Sequence, residues 1–208
     1  METRAEILNS EENTGGIQVQ KSQKKRKIET KDMIICALFA ALIAVGAFIK
    51  IPVPYVPFTM QLMFTTLAGI LLGSRRGAMA VGIYLAIGLI GVPVFTQGGG
   101  IGYIFQPTFG YLIGFMIGAF VTGKMVEKHE KPGFSQILIA ALAGLGIVYL
   151  VGVPYFYLIS NLVIKSPIGI MGILTYGFLL CLPGDIATCL IGAFLGKRLI
   201  PVIRREMK

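Results

Sequence analysis

An all-helical integral membrane protein, with six transmembrane helices and both termini in the cytoplasm, is the fold class this sequence predicts. Three observations predict it. The 208 residues are 55% hydrophobic and only 14% charged, with a mean hydropathy of +0.77, well away from soluble composition. The apolar residues gather into six runs, at 33–49, 58–73, 77–95, 107–123, 134–159 and 168–196, each close to or above the ~20 residues a helix needs to cross a bilayer. Seventeen of the nineteen Lys and Arg residues fall in the N-terminal segment, the 2–3 and 4–5 connections and the C-terminal end, leaving only Lys50 and Lys165 on the opposite side. Positive charge stays cytoplasmic, so an even number of spans and two inside termini follow.

Residues 1–30 are polar and include the basic run Lys21–Lys27. Without an apolar stretch they are no secretory signal; they read as a flexible basic cytoplasmic tail. The membrane domain then covers 31–200, and 201–208 form a short cytoplasmic C-terminal tail.

Within the first run, Ala37, Ala40, Ala41 and Ala44 give overlapping small residues four apart. Such spacing lets helices approach closely, inside the bundle or against a partner membrane protein. The connection Lys50-Ile-Pro-Val-Pro-Tyr-Val-Pro57 excludes helix through its prolines. It delivers Thr59 and Gln61 to the outer start of the second run. Arg75 and Arg76 mark the cytoplasmic turn to the third.

The outward connection after the third run carries Phe95-Thr-Gln-Gly-Gly-Gly100 and then Tyr103 and Phe105. Consecutive glycines can turn N–H groups toward an anion, and the start of a fourth helix near Pro107 adds unpaired N–H groups. Gly98, Gly99 and Gly100 are therefore candidate ligand contacts, with the flanking aromatics as a lid. In the fourth run Gly110, Gly114 and Gly118 repeat at intervals of four, a pattern for close helix packing. Pro154 in the fifth run and Pro183 in the sixth are expected kink points.

Asp185 is the one acidic residue inside the apolar part of the chain. No Lys, Arg or His precedes Lys197 in its span. A carboxylate there is costly unless something pairs with it, which makes it the leading functional-site candidate. Twelve residues of helix, about 18 Å, separate it from Lys197, so it lies past the midplane toward the outside. A carboxylate can accept two N–H bonds from a urea-like or amide group. Its position after Pro183-Gly184 also suits a helix cap. Gln61, Tyr111, Tyr155 and Asn161 are further polar groups able to reach an outer cavity.

Several function classes lose support. The sequence has no Gly-x-x-x-x-Gly-Lys-Ser/Thr loop, and its one histidine, His129, stands in a charged connection. No nucleophile–base pair can be built in the apolar runs, so neither a catalytic centre nor a cofactor is expected. The three cysteines, Cys36, Cys181 and Cys189, have no metal spacing, and no metal site is expected. The net charge of +9 follows from topology, and no nucleic-acid-binding pattern accompanies it. A binding protein of the membrane, energised by other subunits, remains.

Five segments in this order, Val56-Pro-Phe-Thr-Met-Gln61, Leu71-Leu-Gly-Ser-Arg-Arg-Gly77, Gly88-Leu-Ile-Gly-Val-Pro-Val-Phe95, Gln106-Pro-Thr-Phe-Gly-Tyr111 and Leu182-Pro-Gly-Asp185, resemble the biotin-specific S component, or BioY family, of energy-coupling-factor (ECF) transporters. The resemblance covers about residues 33–200. It implies a substrate-binding subunit in a prokaryotic cell membrane that captures biotin outside for ATP-driven import. The implied partners are a membrane-embedded T component and two cytoplasmic ATPases. It also implies that Ala37, Ala40, Ala41 and Ala44 dock the T component, and that Gln61, Gly98 to Gly100, Tyr111 and Asp185 lie near the ligand. Asp185 would hold the ureido ring, aromatic residues would sandwich the bicycle, and the glycine loop with Phe95 beside it would close over the tail. Thr188 stands where many members have Lys, and Leu112 where some have Arg. The ligand's tail would then depend on backbone N–H groups, Thr59 or Thr188. The alternatives are another carboxylate-tailed vitamin such as lipoate, or a membrane enzyme.

Overall fold

The computed structural model describes residues 30–52, 54–164 and 168–206. The basic run in the tail, Lys165 and Lys208 lie outside them. Helix α1 spans Thr30–Phe48, and a two-residue antiparallel hairpin, β1 at Lys50–Ile51 and β2 at Phe58–Thr59, leads into α2 at Gln61–Leu72. Gly73, at φ 84°, makes the one-residue turn into α3, Ser74–Ile90. A 3-10 turn at Ile101–Phe105 precedes α4, Phe109–Glu127, and α5, Phe134–Leu158. α5 runs out in a wide π-type turn at Ile159–Val163. α6, Ile170–Leu174, enters a second such turn, Thr175–Leu179, and α7, Leu182–Glu206, completes the bundle.

The fold is all-helical apart from the small hairpin, as the composition predicts. Among the described residues four stretches are long and apolar enough to cross a membrane: Thr30–Phe48, Phe109–Glu127, Phe134–Val163 and Ile170–Ile203. The runs at 58–73 and 77–95 give shorter helices of 12 and 17 residues. The physical reasons are local. Phe58 and Thr59 pair with β1, and Arg75 and Arg76 fall within the first turn of α3. At its outer end Gly91, at φ 120°, stops α3 before Pro93.

α5 continues through Pro154, and its distortion appears several residues later, at Ile159–Val163. The break before α7 falls at Leu180–Cys181 rather than at Pro183. Pro183 occupies the first turn of α7, where its missing N–H has no helical partner to lose. The predicted C-terminal tail is helical through Glu206.

Close packing follows the glycine spacing. Gly110, Gly114 and Gly118 of α4 face Tyr155, Val148 and Gly144 of α5, and a Cβ on Gly114 would stand 2.9 Å from the Val148 Cα. Gly196 of α7 faces Ile70 of α2. Polar contacts divide between the two ends of the bundle. At one end Arg76 pairs with Asp32 at 3.0 Å. There too the Ser74 N–H and hydroxyl both donate to the Glu127 carboxylate, each at 2.8 Å. At the other, the Lys50 ammonium donates to the Thr96 carbonyl at 2.8 Å and ties the hairpin to the glycine loop.

Candidate functional site

α7 begins beside the hairpin, so its first turn carries Asp185 to the level of Phe58 and Thr59. The Asp185 N–H donates to the Cys181 carbonyl at 3.0 Å, which places the residue inside the helix and not at its cap. An acidic residue in that first turn faces the positive end of the helix dipole. Its carboxylate accepts a hydrogen bond from the Tyr149 hydroxyl of α5. Among the described residues no Lys, Arg or His comes within ion-pair distance of it.

Around this pair lies a small cavity of about 40 Å³, walled by Phe58, Thr59, Tyr111, Tyr149, Cys181 and Asp185. That volume holds one or two waters. Its aromatic walls are fixed by contacts among themselves. The Tyr111 ring stands edge-on to Tyr149 at 6.4 Å, and Tyr149 edge-on to Phe178 at 4.7 Å. The Tyr111 hydroxyl donates to the Gly177 carbonyl at 2.7 Å, joining α4 to the wide turn before α7. The proline-rich connection borders the cavity through Val56 and Pro57. There Tyr55, at φ 67°, packs its ring 5.5 Å from Tyr176 and 6.1 Å from Phe156. The chemistry of the site is one buried acceptor carboxylate, one donor phenol and flat apolar walls.

Three residues singled out in the sequence thus converge: Asp185, Thr59 and Tyr111. The others are placed elsewhere. Gln61 is buried beneath the hairpin, accepting from Thr59 at 3.1 Å and donating to the Tyr84 hydroxyl at 2.7 Å. Thr188 turns its hydroxyl back to the Asp185 carbonyl at 2.8 Å and does not line the cavity. The Tyr155 hydroxyl donates to the Ile104 carbonyl, and so anchors the glycine loop to α5. Asn161 donates to the Tyr157 carbonyl of its own helix at 3.0 Å.

The glycine loop is also built differently from the anion cradle that its sequence predicts. Phe95 is no lid: it is 1% exposed, with its ring edge-on to Tyr84 at 5.4 Å and 4.5 Å from Tyr103. Gly98 donates its N–H to the Phe95 carbonyl, and Gly100 donates to the Gly88 carbonyl. Two of the three glycine N–H groups are therefore spent on folding the loop. Gly98 and Gly100 hold φ of 116° and 101°, which only glycine adopts without strain. Gly99 is pressed against the Val92 and Gly88 carbonyls, leaving no room for a side chain. Likewise the N–H groups of Phe109, Tyr111 and Leu112 at the head of α4 all bond to the Gln106 and Thr108 carbonyls.

Tyr149 is the site residue the sequence reading missed. The signal was the unpaired carboxylate itself. With no cation available, its partner had to be a hydroxyl or amide on a facing helix, and Tyr149 sits mid-span in α5.

The family model for the BioY family matches residues 20–205. The probable biotin transporter BioY of Lysinibacillus sphaericus is 46% identical over 175 residues, 84% of this chain and 89% of that protein. The biotin transporter BioY of Rhizobium etli is 36% identical, covering 82% of this chain and 93% of that protein. A crystal structure described as the S-component for biotin from an ECF-type ABC transporter superposes with a TM-score of 0.71 at 29% identity, over 81% of this chain and 90% of that one. With a matched family model across nearly its whole length and an S component as its structural neighbour, this multi-pass membrane protein belongs to the BioY family.

Proposed function

We propose that this protein is the substrate-binding S component of an ECF-type transporter, capturing biotin on the outer side of a prokaryotic cell membrane for ATP-driven import by partner subunits. The observation that carries the reading is the Asp185–Tyr149 pair in an aromatic-walled cavity near one end of the bundle. A ureido ring offers two N–H donors to the carboxylate and a carbonyl to a donor such as the Thr59 hydroxyl. The flat walls suit its bicycle. Family membership and the relatives named for biotin support the same ligand. At about 40 Å³ the cavity is smaller than a bicyclic vitamin. Binding a bicycle therefore calls for the wall to widen, and the bordering Val56 and Pro57 belong to an irregular proline-rich connection and not to a regular element.

The proposed topology is six membrane elements with both termini inside, the shorter α2 and α3 passing within the bundle. Support comes from the charge distribution and from the grouping of Asp32, Arg76 and Glu127 at one end, opposite Lys50. The partner surface is the alanine face of α1. Ala37, Ala40, Ala41 and Ala44 line an apolar groove of about 300 Å³ together with residues of α3, and small side chains there admit a helix of a T component. That component would carry the two ATPases.

Calorimetry with biotin on the purified subunit tests the site. Asp185→Asn removes the charged acceptor and is expected to weaken binding by about 1.5–3 kcal/mol. Unchanged affinity in that variant would remove Asp185 from the site, and displacement of biotin by lipoate at similar concentration would change the ligand.

A further inference from the structure

A directional chain of side-chain hydrogen bonds leads out of the candidate cavity into the groove between α1 and α3. The Thr59 hydroxyl, at the cavity wall, donates to Gln61 Oε1 at 3.1 Å. Gln61 Nε2 donates to the Tyr84 hydroxyl at 2.7 Å. The Tyr84 hydroxyl donates to the Val94 carbonyl at 3.2 Å. Thr59, Gln61 and Tyr84 are all buried, Gln61 at 2% and Tyr84 at 1% exposure. Tyr84 and Val94 in turn line the groove beside the alanine face. Bonds that all run in one sense polarise each other.

We propose that Thr59, Gln61 and Tyr84 form a relay that couples ligand occupancy to partner docking, with Tyr84 a positioning residue for coupled transport. This rests on the ligand site and docking groove proposed above. The switching element is the single O–H of Thr59, which donates to one acceptor at a time. A ligand oxygen that takes this proton leaves Gln61 Oε1 buried without its donor, a state that structures relax away from. Relaxation is a rotation of the Gln61 amide, which withdraws or redirects the bond to Tyr84. The Tyr84 bond to Val94 is where the glycine loop enters the groove wall, so the groove reshapes at Tyr84 and Val94. Coupling is reciprocal: a partner helix seated in the groove biases the same amide and changes ligand affinity.

The test compares biotin affinity of the full-length subunit alone and assembled with its T component and ATPases in lipid nanodiscs. Wild-type protein is expected to show a ratio of roughly five-fold or more between the two states. In Tyr84→Phe, which keeps the ring but removes the hydroxyl that Gln61 meets, the ratio between the two states falls close to one, whatever the affinity of the free subunit. A wild-type ratio near one, or a Tyr84→Phe ratio equal to wild type, overturns the relay. Should that variant be too unstable to assemble, hydrogen exchange on the wild-type subunit decides. Biotin is expected to change protection across residues 92–98, and no change there overturns the proposal. Failure of the underlying reading looks different: Asp185→Asn then leaves the free subunit's affinity untouched, or blocking the alanine groove leaves assembly intact.

Discussion

The carboxylate of Asp185 is stabilised by one phenol, the Tyr149 hydroxyl, and by its place in the first turn of α7. That arrangement keeps a charge inside a membrane protein without a counter-ion and leaves acceptor capacity for a ligand. Removing the phenolic donor strands the carboxylate. Tyr149→Phe is expected to lower the unfolding free energy of the ligand-free subunit by about 1–3 kcal/mol, readable in thermal denaturation in detergent. A melting curve unchanged from wild type would show that the Tyr149 bond stabilises nothing. Asp185 stood out in the sequence because an isolated acid in an apolar run has few structural explanations. Tyr149 did not, because one tyrosine among many apolar residues carries no signal until the facing helix is known.

Among the elements, the α4–α5 pair is held by side chains that are missing. Gly114 brings the α4 backbone against Val148, whose Cα and carbonyl oxygen would lie 2.9 and 3.0 Å from any Cβ there. Because α4 supplies Tyr111 and α5 supplies Tyr149, their separation sets the width of the cavity. Gly114→Ala is expected to destabilise the subunit by about 1–3 kcal/mol through overpacking, and to weaken biotin binding as the two tyrosines move apart. Denaturation and calorimetry on the same preparation check both. The spacing of four was visible in the sequence, and so was a packing role. The glycine loop shows the opposite case. Its composition fits an anion cradle equally well, and only the folded backbone shows Gly98 and Gly100 donating to Phe95 and Gly88.

For the molecule as a whole, orientation in the membrane governs which end would meet the proposed ligand and which the proposed ATPases. The three native cysteines are buried, so an impermeant thiol reagent finds a low background. Phe105→Cys, at a position 59% exposed on the loop of the Lys50 end, is expected to react in intact cells. Lys131→Cys, in the exposed connection between α4 and α5, is expected to react only after the membrane is permeabilised. The reverse pattern would invert the proposed topology and move the Asp185 cavity to the cytoplasmic side.

Sequence alone determined the helical membrane class, the ends to which charge is confined, the glycine face of α4 and the one acid inside the apolar runs. Each depends on composition or on a period of three to four residues, and both survive without tertiary context. The tertiary structure decided the rest. It shortened α2 by pairing Phe58 and Thr59 with β1, and it ended α3 at Gly91. It buried Phe95 and Gln61, and it gave Asp185 its tyrosine. Those outcomes depend on which side chains from distant segments meet, and helices that are apolar all round leave no moment by which a sequence can orient them.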